Sequence, residues 1–333
     1  MKERGGALLA VLWLSAALAA IAFSIALTVR GEISRVEAST EGLKAYYIAL
    51  GGLERAELYM LWGSDDKLPD GRPRYWDPGY PAYPAQFPGG QALVEIIPES
   101  SKLDINSAKP EELFQLLLLL GVPSDQALQI ASAIVDWRSQ ADGPTVFDAF
   151  YMGQVPSFRA RHASLEEIEE LLFVRGVTAE LYYGHYNSAA DGSMVEVPGL
   201  RDCVTAYRAE KQGYDVNTAA PAVLALAGLA PQVVEMIVSM RRVAPITQPQ
   251  FEAMGEMLAS AGGSVGLGGG PFYTIRSTGR AFGPNRQLLE TRRTVTAVVR
   301  KNDPRWQMKE PWTVIRYRES DPAERLLFEI WPR

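Results

Sequence analysis

Cysteine occurs once in these 333 residues, at Cys203, and histidine twice, at His162 and His185. A single thiol excludes an intramolecular disulfide and a cysteine-only metal site, and two imidazoles are too few for a histidine metal cage. Cys203 has no partner pattern around it and reads as a small buried hydrophobe. Positive charge is in deficit: 33 Lys and Arg stand against 39 Asp and Glu, and the net charge of −6 gives no hint of a polyanionic partner. No Gly-x-Ser-x-Gly nucleophile turn, Walker loop or paired-histidine zinc motif occurs. The glycine-dense run near Gly266 precedes a strand pattern and not a helix, so it makes a poor phosphate cradle. His162 in "RARHAS" and His185 in "YYGHYN" read as surface or packing residues. No catalytic residue is expected, and no enzyme activity.

The N-terminus is rich where the rest is sparse. After "MKERGG" comes "ALLAVLWLSAALAAIAFSIALTV", Ala7 to Val29, without a charge, proline or glycine. As a helix this run is about 34 Å long, enough to cross a hydrocarbon core of about 30 Å. Lys2 and Arg4 precede it, which places the N-terminus in the cytoplasm and the remainder outside. A signal peptide would have a shorter apolar core followed by a small-x-small cleavage site. Here the small pair Gly5-Gly6 comes first. Beyond the membrane, Ile33, Val36, Leu43, Tyr47, Leu50, Leu53 and Ala56 keep helical spacing, so one helix of about 50 residues is expected, half in lipid and half on a folded domain.

Residues 63–91, dense in Pro, Gly, Asp and aromatics, read as loop. Asp65, Asp66, Asp70 and Asp77 cluster there, and hard cations take several oxygens on a bendable loop. No EF-hand spacing occurs, so a solvated acidic loop is the simpler reading and calcium ligands at Asp65, Asp66 and Asp70 the sharper one. "ALVEIIPE", from Ala92, alternates as a strand. A helical territory follows from Asp104 to about Leu258, in which "EEIEE", Glu166 to Glu170, reads as a solvated helix face. The glycine-rich stretch 259–271 reads as a flexible connector. Then come β-branched runs, "FYTIRSTGRAF", "LLETRRTVTAVVRK" and "WTVIRYRE", the first two joined by the turn "GPNRQ". The order predicts an α+β fold: one antiparallel sheet packed on the long helix, with a large all-α domain inserted.

Inside that block, "KLDINSAKPEEL" from Lys102 returns as "GYDVNTAAPAVL" from Gly213. Each copy is built like a helix-hairpin-helix unit, with Pro110 or Pro221 at the first helical position. Such units hold DNA through a Gly-apolar-Gly hairpin whose free N–H groups cradle a phosphate. Here Pro123 replaces a glycine and Asp125 adds negative charge; in the second copy Ala230 and Pro231 do the damage. From Asp104 to Asn187 there are 12 acidic residues against 5 basic ones, a poor basis for counterion release. No nucleic-acid partner is expected. Asp104, Asn106, Asp215 and Asn217 satisfy backbone groups at a turn in the structural reading, and form a paired surface for a partner in the other.

A short basic leader ending in glycine, then a long apolar helix that continues amphipathic, resembles the type IV pilins and the pseudopilins of type II secretion. The inserted block, with "AIVDWRSQAD", "SLEEIEELLFVRGVTAELYYG" and "VNTAAPAVLALAGLAP", is similar to the minor pseudopilin K family. The resemblance implies a pilin-like fold divided into a leader (1–6), a transmembrane part (7–29) and a periplasmic part (30–62) of the first helix. It further implies a first sheet portion (63–103), the inserted domain (104–258), the connector (259–271) and the C-terminal strands (272–333). It implies cleavage by a prepilin peptidase between Gly6 and Ala7 and N-methylation of Ala7. Most members carry Glu five residues into the mature helix, where this chain has Val11. A buried carboxylate there neutralises the terminal amine of a neighbouring subunit, so a subunit lacking it suits the end of a filament. The resemblance implies an inner-membrane, single-pass protein that starts and caps a periplasmic pseudopilus. Its partners would be other minor pseudopilins, the major pseudopilin, the peptidase and the inner-membrane platform. No cofactor is required, and calcium is possible because related pseudopilins bind it. A DNA-uptake receptor and a minor pilin of a type IV pilus are the alternatives.

Overall fold

A computed structural model describes residues 4–63, 66–69, 74–76, 81–188, 194–207, 213–262, 264–302 and 312–320. The chain opens with α1 (Arg4–Trp62), 59 residues and about 88 Å of continuous helix. Two strands follow, β1 (Ala82–Phe87) and β2 (Gly90–Pro98). The next block starts with β3 (Leu103–Asp104), α2 (Pro110–Leu119), α3 (Ser124–Arg138) and α4 (Asp148–Met152). It continues through a 3-10 helix (Ile168–Phe173), α5 (Ala179–Tyr183), β4 (His185–Ser188), β5 (Met194–Val197), α6 (Leu200–Cys203) and β6 (Val204–Thr205). Its last part holds β7 (Tyr214–Asp215), α7 (Pro221–Leu226), α8 (Pro231–Val243), α9 (Gln248–Ala253), α10 (Gly255–Leu258) and β8 (Val265–Gly266). The chain then returns to long strands, β9 (Phe272–Phe282), β10 (Leu288–Lys301) and β11 (Trp312–Ser320).

The five long strands form one antiparallel sheet in the order β1-β2-β9-β10-β11. β2 pairs with β9 across the whole intervening block, Glu95 opposite Arg276 and Ile96 opposite Ile275. One face of the sheet lies on α1, where Ala92, Val94, Ile96, Val295, Ala297 and Val299 share a core with the helix. The opposite face is covered as well: Leu93, Ile97, Thr294, Thr296 and Val298 are all buried. Burial on both faces explains why β2 reads as nearly continuous apolar sequence. The block between β2 and β9 has its own core, centred on Leu113, Leu116, Ile134, Tyr151, Leu224 and Ile237.

Three sequence expectations change. The stretch before Ala92 is not all loop, because β1 occupies Ala82–Phe87; Pro84 is tolerated since β1 is an edge strand and its missing N–H breaks no inner ladder. The block is not all-α: β3 pairs in parallel with β6, β7 with β8, and β4 antiparallel with β5. The glycine-rich connector is tied down, since β8 lies inside it and the Val216 N–H donates to the Gly266 carbonyl at 3.0 Å.

Candidate functional site

The helix α1 is the element that sequence most clearly marks, and its surface divides sharply. From Leu8 to Thr40 the described side chains are exposed along the helix, and an apolar span in α1 is long enough to cross a membrane. From Gly42 onward a buried stripe runs through Ala45, Ile48, Ala49, Gly52, Leu53, Ala56 and Met60. This stripe is mostly small because the helix lies close on the sheet: a Cβ at Gly279 would sit 2.2 Å from the Ala45 carbonyl oxygen. One at Gly52 would sit 2.3 Å from Ser277 Oγ. The apolar spacing read from sequence therefore divides between two faces: Leu53 and Ala56 join the core with the sheet, whereas Leu43 and Tyr47 do not. Leu43, Tyr47, Leu58 and Leu61 point away from the sheet, with Leu43 56% and Tyr47 61% exposed. That leaves an apolar helical face at i, i+4 and i+3 spacing outside the core formed by the described residues.

Gly6 and Ala7 lie in the first turns of α1, Gly6 exposed and Val11 67% exposed. Asp65, Asp70 and Asp77 lie outside the described residues. Asp66 is described, and its carboxylate faces Arg74 Nε at 3.6 Å. Among the described residues no group of three or more His, Cys, Asp or Glu could hold a metal ion.

The repeated sequence forms two units of the same design. In the first, Asp104 Oδ1 accepts the Asn106 N–H at 2.9 Å and Oδ2 accepts the Ser107 hydroxyl at 2.7 Å. The Asn106 amide then closes a two-bond bridge to the Leu165 backbone, at 2.9 and 2.7 Å. In the second, Asp215 accepts from the Asn217 N–H and the Thr218 hydroxyl, and Asn217 bridges to Ile246 at 3.1 and 2.8 Å. The same turn has thus been used twice to pin a distant loop. An arginine near the end of the second helix completes each unit. Arg138 donates to the Ile105 and Ala108 carbonyls, and Arg241 to those of Val216 and Ala219 at 3.0 and 2.7 Å. Burial pushes the Arg241 pKa down to about 10, and burial also raises that of Asp215. Sequence reasoning missed both arginines, although aligning the two copies through their second helices brings Arg138 and Arg241 to matching places.

The hairpins turn on Gly121 at φ +84° and Gly228 at φ +95°. Pro123, Asp125, Ala230 and Pro231 are exposed at these turns, where an anion-binding hairpin needs free N–H groups and no carboxylate. Arg241 is turned inward to carbonyls, so it adds nothing to a phosphate contact.

"EEIEE" is not a solvated helix face. Glu167 pairs with Arg316 and Glu169 with Arg318, so the block is stapled to β11. Glu166 and Glu170 both pair with Arg161. Glu167 is the extended residue that caps the 3-10 helix and Glu169 lies in its first turn, so the chain changes from extended to helical between the two pairs. The matched i, i+2 spacing of Glu167/Glu169 and Arg316/Arg318 was the signal available in the sequence. His162 is tied to the block too. Its Nε2 lies 3.2 Å from both Asp148 oxygens and its Nδ1 3.2 Å from the Asp136 carbonyl. Burial opposes its charge, but the hydrogen bonds and charge of Asp148 outweigh this and raise its pKa. His185 lies 3.7 Å from Glu180 with a third of its side chain exposed. Cys203 is fully buried and its thiol pKa is pushed up by burial, the opposite of an activated thiolate.

Residues 92–184 match the sequence model of a family described as type II secretion system (T2SS), protein K. No curated protein matches the chain. Among solved structures it is similar to a chain in the crystal structure of the GspK-GspI-GspJ complex from the enterotoxigenic Escherichia coli Type 2 Secretion System. That likeness is at 15% identity over 88% of this chain and 99% of the other, with a TM-score of 0.49.

Proposed function

We propose that this chain, assigned to the protein K family of type II secretion systems through residues 92–184, is a minor pseudopilin that starts and caps a periplasmic pseudopilus. The observation that carries this reading is the division of α1: an exposed apolar span, then a small-residue face on the sheet and an apolar face left outside. Such a helix fits one that anchors in the inner membrane and then packs against like helices of other minor pseudopilins. Lys2 and Arg4 favour a cytoplasmic N-terminus, and the resemblance of the leader to those of pilins implies cleavage after Gly6 and methylation of Ala7. Val11 offers no carboxylate to the amine of a following subunit, which favours the first place in the filament over an internal one. The block on the far face of the sheet adds bulk that suits a tip. The two helix-hairpin-helix-like units serve in this reading as a protein scaffold, since their hairpins and the acidic balance disfavour DNA.

The test is co-purification from membranes with the smaller leader-bearing proteins of the same secretion operon. Leu43→Arg with Tyr47→Asp, which changes only the outer face of α1, is expected to abolish co-purification while the soluble part stays folded. Retained co-purification would remove α1 from the interface. Gly6→Val is expected to leave the longer, uncleaved chain by mass spectrometry, and an unchanged mature mass would refute the cleavage site.

A further inference from the structure

Between the five-stranded sheet and the block that covers it lies a cavity of about 620 Å³. Its sheet wall carries Arg276, Arg316 and Arg318, and the facing wall carries Lys102, Arg201, Arg241 and Arg242. Glu99, Glu169 and Asp202 are the acidic residues lining it. In a chain of net charge −6 this is a local reversal of sign. Three further carboxylates stand behind the wall, Glu95 beside Arg276, Glu167 beside Arg316 and Asp215 near Arg241, and they leave the site positive by one charge. Arg241 is held by the carbonyl groups of Val216 and Ala219, and Arg242 beside it has no carboxylate within ion-pair distance among the described residues.

Arg201 is the most telling of these. It is 9% exposed, its guanidinium stacks 5.3 Å from the centre of the Tyr183 ring, and Asp202 is no closer than 3.7 Å. Its buried Nε makes no hydrogen bond among the described residues. A buried donor left without an acceptor is costly, and a planar guanidinium is shaped to receive a carboxylate on two nitrogens. Arg242, by contrast, is exposed, and at the same rim Val243 is 90% exposed.

We propose that this cleft binds a short acidic peptide segment, its carboxylates on Arg201 and Arg242 and its apolar side chains against Tyr183, Pro198 and Val243. The volume lies within the range of about 300–1,000 Å³ that holds ligands of many atoms, far more than an inorganic anion fills. The walls mix proline, valine and tyrosine with arginine, which suits a peptide with both kinds of side chain. The interspersed Glu99, Glu169 and Asp202 would repel a continuous polyphosphate but accept peptide N–H groups. A bound segment would touch both the sheet and the covering block and hold them together. The proposal uses only the cleft and stands apart from the reading of the chain as a pseudopilin.

The experiment is fluorescence anisotropy with the full chain in a nonionic detergent at low salt. The probe is a fluorescein-labelled peptide of sequence EELYEE, with QQLYQQ, inorganic phosphate and a labelled DNA duplex as comparisons. Saturable binding of EELYEE is expected, weaker by about tenfold or more for QQLYQQ, for Arg201→Gln and for Arg242→Glu. Arg242 is exposed, so its variant keeps the fold and decides the matter even where Arg201→Gln unfolds. Absence of saturation by about 1 mM, equal binding of QQLYQQ, or unchanged affinity in Arg242→Glu would overturn the proposal. Displacement by phosphate at equal concentration would make it a small-anion site, and tighter binding of the duplex would make it a nucleic-acid site; either result also overturns it.

Discussion

Replacing Asn217 by alanine isolates what the repeated Asp-x-Asn turn contributes. Asn217 is 4% exposed and Ile246, the residue it bridges, 2%. The substitution removes the acceptor of the Ile246 N–H at 2.8 Å and the donor to its carbonyl at 3.1 Å. Both groups belong to a buried residue, and alanine at 217 offers a partner to neither. At about 1–3 kcal/mol for each orphaned group, the loss is about 3 kcal/mol or more. Asn106 makes the same bridge to Leu165 but is only partly buried, so water replaces part of what it gave. Its alanine variant should lose about 1 kcal/mol. In a folding unit of this size each kcal/mol moves the midpoint by about 2–4 °C. Thermal unfolding followed by circular dichroism should therefore show Asn217→Ala melting several degrees below Asn106→Ala. Asn217→Asp keeps the acceptor, loses the donor and adds charge beside buried Asp215, so it should be no better than alanine. Equal melting of the two alanine variants would refute the argument that burial sets the worth of this bridge.

Other perturbations address the remaining contacts. Gly279→Ala puts a Cβ 2.2 Å from the Ala45 carbonyl and 2.5 Å from the Ala49 nitrogen. It should cost about 3 kcal/mol by forcing α1 off the sheet, and a change within about 0.5 kcal/mol in urea unfolding would contradict that. The His162–Asp148 pair should stabilise most between about pH 4 and 6.5. The raised His162 pKa gives a contribution that is complete below the free-histidine value and lost as pH rises through the folded one. The lowered Asp148 pKa, set first by the Thr145 N–H, gives one that is lost only as pH falls through that lower value. His162→Asn, which tolerates the positive φ at that position, should flatten the upper limb of stability against pH. The Glu167–Arg316 and Glu169–Arg318 pairs are about one-third exposed, so a double-mutant cycle on each should give at most about 1 kcal/mol, smaller at high salt.

The legible parts of this molecule are those fixed by local pattern. Strands β9 and β10 run over the residues that alternation marks, and α8 over "PQVVEMIVSMRRV", because period and flanking proline or glycine are properties of a short window. The hairpin glycines and the Asp-x-Asn turns were readable for the same reason: their hydrogen bonds begin two or three residues away. β1 was hidden because its proline argues against a strand until one knows that it lies at an edge. The β3–β6 and β7–β8 pairs were hidden because two residues carry no period, and β4–β5 because four carry little of one.

Sequence by itself determined the apolar span of α1, the order of helix, strand, block and strands, and the doubling of a turn within the block. Only the tertiary structure decided which face of α1 meets the sheet. Close approach selected the small residues Ala45, Ala49 and Gly52 and left Leu43 and Tyr47 outside, against the hydrophobicity ranking. It likewise decided that Glu167 and Glu169 meet Arg316 and Arg318, and that seven cations face one cleft from residues as far apart as Lys102 and Arg318. Contacts of that kind depend on how whole elements pack, and no window of sequence contains both partners.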